Sequence, residues 1–245
     1  MTSQRGSAVV LGVGAQRGVG GAACRRYGRE GLHVFAVGRT AEKVERVAKE
    51  VVEAGGEATP IVADATIEAD VVRALDQAQA ARPLELVHYN AGNNRWSPLL
   101  EMESGFFEDV WRLCCLGGFM VGREAARRMV SAQRGGSIFF TGATASLRGR
   151  PPFTAFASAK AGLRAVAQAM ARELGPQGIH VAHVVIDGVI HGEVVESKVP
   201  GYIESKGPDG ALAPDAIADA FWLLHTQHRS AWTHELDLRP FKEPW

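Results

Sequence analysis

The chain has 245 residues, of which 46% are hydrophobic and 22% charged, with 27 basic and 27 acidic side chains. This length suits one α/β domain, and the balanced charge argues against the basic surface that nucleic-acid binding requires. With no run of about 18 apolar residues and no secretory leader ahead of the first apolar run, we expect a cytoplasmic protein without membrane contact.

Short runs rich in Val, Ile and Leu alternate with segments of helical period along the whole chain. The predicted strands are 7–13, 32–37, 57–63, 84–90, 136–142, 179–186 and 233–238. The predicted helices are 18–30, 40–54, 67–80, 104–130, 153–174 and 214–227. Strands that alternate with helices form parallel sheets covered on both faces, so we predict a doubly wound, seven-stranded parallel α/β sheet in one domain, 1–245.

The segment 189–213 has no regular period and is rich in Gly and Pro. Loops beyond the carboxyl ends of parallel strands line the ligand crevice, so we expect a substrate lid here. The cysteines, Cys24, Cys114 and Cys115, are odd in number and lack metal-ligand spacing. We therefore predict free buried thiols and no metal site.

A glycine-rich turn follows the first predicted strand and leads into a helix with the spacing GxxxGxG. Such a turn lets backbone N–H groups and the positive end of the helix approach a pyrophosphate. A turn that only packs the helix on the strand is the alternative. The residues expected to contact a dinucleotide here are Gly14, Gln16, Arg17, Gly18, Val19 and Gly20.

The end of the second predicted strand indicates which dinucleotide fits. An acidic residue there would bind a ribose 2′-OH, but the chain has Gly38, which leaves room, and Arg39, whose guanidinium suits a 2′-phosphate. Arg17 can add a second positive charge, so we predict NADP(H) rather than NAD(H). Alternatively, Arg39 is a solvated residue ahead of a helix that Thr40 caps.

Together with the GxxxGxG turn, Ala63-Asp64, Asn90-Ala91-Gly92 and Lys160 resemble the short-chain dehydrogenase/reductase family. The resemblance covers essentially the whole chain and implies a Rossmann-type fold. It implies that Asp64 and Ala65 contact adenine, that Asn90, Ala91 and Gly92 form the floor beneath the cofactor, and that Lys160 holds the nicotinamide ribose. It also implies a cofactor contact at Gly188, and a homodimer or homotetramer built through the helices after strands four and five.

The chain departs from the family's pattern where the chemistry is done. Counting from Lys160 places Phe156 at the position of the family's catalytic Tyr, Ala143 at that of its Ser, and Cys114 at that of its Asn. A phenyl ring has no proton to exchange, and loss of general acid–base help costs roughly 10² to 10⁴ in rate. Asp187 stands where the family has Pro before Gly188. These departures indicate an atypical branch.

Other side chains are candidates to replace the missing groups. Tyr27 and Tyr89 are interpreted as packing residues, and His183 as a core histidine. Lys160 itself is a further candidate, acting as proton donor through water. The candidates for the substrate pocket are Thr144, Ser146, Phe156, His191 and Tyr202, beside the apolar Trp96 and Ala143.

Two functions remain open from the sequence. One is an NADP(H)-dependent oxidoreductase of a small, apolar carbonyl, alcohol or activated alkene, since hydride transfer is mostly the cofactor's own chemistry. The other is a catalytically degenerate NADP(H)-binding scaffold or sensor. The predicted lid and Lys160 favour the enzyme, whereas the joint loss of Tyr, Ser and Asn favours the scaffold.

Overall fold

The computed structural model describes residues 5–243, which form a sheet of seven parallel strands in the order β3-β2-β1-β4-β5-β6-β7. The predicted doubly wound, Rossmann-type α/β architecture is confirmed. The strands are β1 (Ser7–Leu11), β2 (His33–Gly38), β3 (Glu57–Val62), β4 (Leu84–Tyr89), β5 (Gly136–Thr141), β6 (Ile179–Ile186) and β7 (Glu235–Leu238).

Helices cover both faces of the sheet. They are α1 (Val19–Arg29), α2 (Ala41–Glu53), α3 (Glu68–Ala81), α4 (Ser104–Trp111), α5 (Gly117–Ala132), α6 (Thr154–Leu174), α7 (Glu193–Lys198), α8 (Tyr202–Ser205) and α9 (Pro214–His225). Because successive side chains of a strand point to opposite faces, alternate strand residues pack against α3, α5 and α6 on one side. The others pack against α1, α2 and α9.

The strand order reverses between β1 and β4, which are hydrogen-bonded neighbours. The crevice at such a reversal, beyond the carboxyl ends of the strands, is where open α/β sheets bind ligands. β1 stops at Leu11, two residues earlier than predicted, because Gly12 turns the chain with φ +97°. The backbone N–H groups of Gly12 and Val13 then both donate to the carbonyl of Val37 at 3.0 Å.

The predicted helix 104–130 is interrupted by one π-helical turn, Arg112–Leu116, between α4 and α5. The hydroxyl of Tyr89 donates to the carbonyl of Leu113 inside this turn. Gly117 follows directly, and a Cβ there would crowd that hydroxyl and lie 2.8 Å from the carbonyl of Ala65. The tyrosine and the missing Cβ together accommodate the wider turn, which is a feature common at functional sites.

The segment 189–213 is more regular than expected, because it contains α7, α8 and a parallel bridge between Ile190 and Leu212.

The cysteines are free and buried, as predicted; they are Cys24, Cys114 and Cys115. Among the helices of residues 5–243, none has the length and apolar character needed to cross a membrane.

Candidate active site

The turn between β1 and α1 approaches neighbouring backbone so closely that side chains are excluded. A Cβ at Gly12 would lie 2.5 Å from Cα of Ala91, and one at Gly20 would lie 2.8 Å from the carbonyl oxygen of Gly12. At Gly14, in contrast, a Cβ would meet no atom within 4 Å. The turn is therefore closed toward the sheet and open at Gly14.

The start of α1 suits an anion. Gly18 precedes the helix in extended conformation, Val19 is its first residue, and its first turn carries no acidic side chain. The N–H groups of the first turn of a helix and the positive end of its dipole attract anions. The turn fits the pyrophosphate of a dinucleotide.

Gln16 and Arg17 connect this turn to other elements. The side chain of Gln16 donates to Glu50 on α2. The backbone N–H of Arg17 donates to Glu193 Oε1 at 2.9 Å, and its guanidinium pairs with Glu196. His191 Nε2 lies 3.1 Å from the second oxygen of Glu196. The predicted lid is thus attached to the glycine turn through α7.

Arg39 and Arg17 make separate ion pairs. Arg39 has a 65% exposed side chain whose Nη1 lies 3.8 Å from Asp64 Oδ2. A Cβ at Gly38 would collide with the carbonyl of Val13, so this glycine is required by the packing of β2 against the end of β1. Thr40 stands at the N-cap of α2, but its side chain makes no capping hydrogen bond.

Asp64 and Ala65 follow β3 at the same edge of the sheet. Asp64 Oδ1 accepts hydrogen bonds from the backbone and hydroxyl of Thr66, both at 2.8 Å. The backbone N–H of Asp64 donates to Asp70 and, as the largest cause, lowers the pKa of that carboxyl. Ala65 packs into the core beneath α5. The turn is therefore rigid.

Asn90, Ala91 and Gly92, the predicted floor of the crevice, follow β4 at the carboxyl end of the sheet. The backbone N–H of Asn90 donates to Leu11 at 2.8 Å, and its side-chain amide donates to the carbonyl of Gly12 at 3.1 Å. Gly92 is exposed, and a Cβ there would lie 3.3 Å from Lys160 Nζ and 3.6 Å from Cys114 Sγ. The Asn90-Ala91-Gly92 motif, Lys160 and Cys114 therefore lie close together.

Lys160 is 4% exposed, and its ammonium donates to the carbonyl of Thr141 at 2.8 Å. Burial lowers the pKa of this amine, because the charged form loses hydration. An ammonium has three protons, so further hydrogen bonds remain for acceptors entering at Gly92. Ribose hydroxyls are acceptors of this kind, and the residues present fit the nucleotide that the sequence predicts.

Phe156 and Cys114, two of the three substituted positions, lie near this lysine. Lys160 Nζ lies 5.9 Å from the centre of the Phe156 ring, a cation–π distance. Ala143 is half-buried in the turn after β5. Cys114 lies in the π-helical turn with Sγ 3.7 Å from the carbonyl of Asn93. The surface beside the amine is therefore largely apolar.

Ser146 lies beneath the turn after β5 and not in the crevice. It is 3% exposed, and its hydroxyl accepts the backbone N–H of Ala143 at 3.1 Å. The same oxygen is 3.2 Å from Nε2 of His183, a fully buried histidine whose pKa burial lowers to about 4. Both groups hold the turn in place.

Thr144 is half-buried in the same turn, and its hydroxyl donates to Asp187 Oδ1 at 2.6 Å. Asp187 follows β6 directly and is 2% exposed. Arg239 donates to its second oxygen, and Arg148 Nη2 lies 3.7 Å from the first. Two guanidinium groups thus face one buried carboxylate.

The tyrosines interpreted as packing residues are fully buried. Burial raises the pKa of both the Tyr27 and the Tyr89 phenol well above the ordinary value. The Tyr27 hydroxyl lies 3.1 Å from His88 Nδ1. Neither phenol faces the crevice.

The structure also gives the surroundings of Tyr202 and Gly188, the remaining candidates. Tyr202 is partly exposed on α8, with Lys206 Nζ 5.4 Å above its ring. A Cβ at Gly188 would lie 2.6 Å from Pro240 Cδ, so this glycine permits the chain after β7 to pack there.

A chain of buried hydrogen bonds, which the sequence analysis missed, supports the floor. Thr141 Oγ1 donates to Asn90 Oδ1 at 3.1 Å, and Nε2 of His88 lies 2.8 Å from the same hydroxyl. Because the threonine proton is used, His88 donates to Thr141 and accepts the proton of Tyr27. Burial lowers the pKa of His88 to about 3, so it stays neutral. The signal available in the sequence was His88, a polar residue inside the apolar pattern of a predicted strand.

Comparison with known proteins places this geometry in a family. Residues 8–201 match the model of the family described as short chain dehydrogenase. An uncharacterized oxidoreductase of Bacillus subtilis, YuxG, is 31% identical over 216 residues, which are 87% of this chain and 31% of that protein. The chain therefore spans about a third of the length of that relative.

Two solved structures cover nearly the whole chain. A short-chain dehydrogenase from Rhodopseudomonas palustris is 42% identical with a TM-score of 0.82, covering 96% of this chain and 99% of that one. A metagenomic short-chain oxidoreductase in complex with NADP is 27% identical with a TM-score of 0.81, covering 99% and 100%. The protein belongs to the short-chain dehydrogenase family.

Proposed function

We propose that the protein is an NADP(H)-dependent oxidoreductase that acts on a small, apolar carbonyl or alcohol, or on an activated alkene, with a non-standard active site. The observation that carries this proposal is the position of Lys160. Its buried amine lies beside the exposed Gly92, and the side chain of Asn90, two residues earlier, donates to the carbonyl of Gly12 in the glycine turn. A merely structural lysine has no need of such an exposed neighbour.

The nicotinamide, when bound, supplies or accepts the hydride. The residues that would hold the dinucleotide are Gly14, Gln16, Arg17, Gly18, Val19, Gly20, Arg39, Asp64, Ala65, Asn90, Ala91, Gly92, Lys160 and Gly188. This chain's own contribution is to bind and orient the reactants and to exclude water. Positioning alone can supply a large part of a rate enhancement.

The choice of NADP(H) is supported by charge at the end of β2. Arg39 is exposed and free to swing from its 3.8 Å contact with Asp64, and β2 ends without an acidic residue. The structural neighbour that is 27% identical was solved with NADP. Arg17 is a weaker contributor, because its guanidinium already pairs with Glu196.

An apolar substrate is supported by the surfaces around the amine. Phe156 and Ala143 present no polar side-chain group. Trp96, with a 59% exposed side chain, lies in the loop that joins the segment before α6 through a hydrogen bond from Ser97 to Pro152. Segment 189–213 would cover this side as a lid.

A degenerate NADP(H)-binding scaffold or sensor is the second candidate. It is favoured by the absence of a proton-donating side chain at 143 and 156 and by the burial of Tyr27 and Tyr89.

Under either function we propose a homodimer or homotetramer through the outer faces of α4, α5 and α6, where Trp111 and Phe119 are partly exposed. Light scattering of the purified protein measures this state.

The function is tested by loading the protein with NADPH and screening aldehydes, ketones and enones for oxidation of the cofactor. We expect slow turnover with at least one class, and its loss in Lys160→Met. Tight NADPH binding with no turnover of any class would contradict the enzyme and support the scaffold. Failure to bind NADPH would contradict both.

A further inference from the structure

We propose that Thr144 and Asp187 form a substrate subsite that accepts a hydrogen bond, so that its preferred ligand carries a hydroxyl group rather than a bare carbonyl. The inference rests on the proposed function and names the substrate class that the site prefers. Asp187 acts as the positioning residue, and Thr144 as the residue that contacts the ligand.

The direction of the hydrogen bond follows from the charges around Asp187. Its carboxylate faces the guanidinium groups of Arg239 and Arg148 and is buried, so it is an acceptor with no proton to give. Thr144 has one hydroxyl proton, which it donates to Asp187 at 2.6 Å. The side of the threonine oxygen that is left for a ligand therefore carries lone pairs only.

Reversing this arrangement is unfavourable. To polarise a carbonyl, Thr144 would have to turn its proton away from a buried carboxylate and remove one of its charge-assisted hydrogen bonds. Hydrogen bonds to an ionised acceptor are roughly twice as strong as those between neutral groups. A carbonyl oxygen is a neutral acceptor, so Asp187 keeps the proton.

The subsite lies in the turn that follows β5. Thr144 is three residues along the chain from Thr141, whose carbonyl binds Lys160 Nζ, and it adjoins the half-buried Ala143. Asp187 follows β6, the strand that pairs with β5. The other hydroxyl of the turn, that of Ser146, is buried against His183. Because Thr144 is half-buried and Ser146 is 3% exposed, Thr144 is the more accessible of these two residues.

The test uses pairs of inert probes, which are tertiary alcohols and their methyl ethers carrying a phenyl, cyclohexyl or n-hexyl group. Neither member can exchange a hydride, and only the alcohol can donate a hydrogen bond. Dissociation constants are measured by ligand-observed NMR on NADPH-loaded protein, whose loading is verified by NADPH fluorescence. We expect the best-bound alcohol to bind roughly five- to tenfold more tightly than its ether.

Matched variants test whether Thr144 and Asp187 cause the preference for the alcohol. Thr144→Val keeps the shape of the side chain without the oxygen and should abolish the preference, whereas Thr144→Ser should retain it. Asp187→Asn can donate its amide proton to Thr144, which frees the threonine proton, so the preference should fall toward unity.

An unchanged preference in Thr144→Val overturns the subsite, and so does wild-type protein that binds ethers as tightly as alcohols or binds neither. The titration is repeated without NADPH, because the subsite consists of this chain's own groups. Protein that binds no NADPH but still prefers alcohols contradicts the proposed function and leaves the subsite standing.

Discussion

Nε2 of His88 donates a hydrogen bond to the hydroxyl of Thr141 at 2.8 Å. Both residues are buried, His88 on β4 and Thr141 on the neighbouring strand β5. This contact joins the core at Tyr27 to the crevice, because Thr141 also binds Asn90 through its hydroxyl and Lys160 through its carbonyl. One residue of β5 therefore supports both the floor and the amine above it.

Thr141→Val is expected to weaken the fold and the crevice together. It leaves His88 Nε2 and Asn90 Oδ1 without this partner, and each buried polar group so deprived costs about 1–3 kcal/mol in the free energy of unfolding. Urea denaturation measures that loss, and NADPH titration measures a higher dissociation constant. Thr141→Ser keeps the hydroxyl and is the control; equal values for the two variants would contradict the role of the hydroxyl.

Arg39→Asp is expected to reverse the cofactor preference. The guanidinium suits a 2′-phosphate, whereas a carboxylate at this position accepts hydrogen bonds from a ribose 2′-OH and repels the phosphate. Fluorescence titration should show NADPH binding more tightly than NADH in the wild type and the opposite in the variant. Arg46→Asp, an exposed change of equal charge on α2, the helix that follows Arg39, should preserve the order. Equal wild-type affinities would be incompatible with the NADP(H) proposal.

Stability is expected to fall as the pH drops from about 6.5 toward 4. Burial lowers the pKa of His88 to about 3 and of His183 to about 4, so between those values and about 6.5 the unfolded chain binds more protons than the folded one. The stability that these two neutral histidines contribute is complete above about pH 6.5, the pKa of a histidine in the unfolded chain, and it is lost as the pH falls. The two together remove about 2 kcal/mol between pH 6 and pH 5.

Urea denaturation across this range measures the slope, and His183→Gln should remove about half of the part that His88 and His183 contribute. Burial also lowers the pKa of His33 and of His180, which add to the slope in the same window. His228→Gln, the same change at an exposed histidine, should leave the slope unchanged. The carboxyl groups of Glu85 and Glu235, whose pKa values are lowered by hydrogen bonds from His225 and Arg164, act below about pH 4.5 and lie outside the window.

Phe156→Tyr combined with Ala143→Ser is expected to raise carbonyl turnover, by up to roughly 10². The ring position is 5.9 Å from Lys160 Nζ, and an ammonium at this range favours a phenolate. Initial rates of NADPH oxidation for the two single variants and the double variant measure the effect. A gain in Phe156→Tyr alone, equal to that of the pair, would show that Ala143 is not limiting.

The fold was predictable because the alternation of apolar runs and helical segments is a local property of the sequence. The glycine turn and Lys160 were recognisable for a related reason, since their spacing is fixed by one turn and one helix. The chain of hydrogen bonds through His88 was not predictable, because its members come from α1, β4 and β5 and meet only after the sheet has formed. The same holds for Arg239, which reaches Asp187 from beyond β7.

Side-chain direction was the other quantity that sequence could not supply. Thr144 and Ser146 are two residues apart in one turn, yet the first is half-buried against Asp187 and the second is enclosed with His183. The widened turn at Arg112–Leu116 likewise depends on the Tyr89 hydroxyl from a distant strand.

The attachment of α7 to the glycine turn has a kinetic consequence. Gly192 lies against the carbonyl of Arg17, where a Cβ would come within 2.5 Å, and Glu193 and Glu196 bind the same arginine. Two carboxylates thus lie beside the groups suited to the phosphates of a dinucleotide, and like charges repel. Under the proposed function, Glu193 and Glu196 would have to leave Arg17 when a dinucleotide binds, which would free α7 from the glycine turn before the second reactant enters. Steady-state kinetics with compulsory order, the dinucleotide first on and last off, is the behaviour that this contact implies.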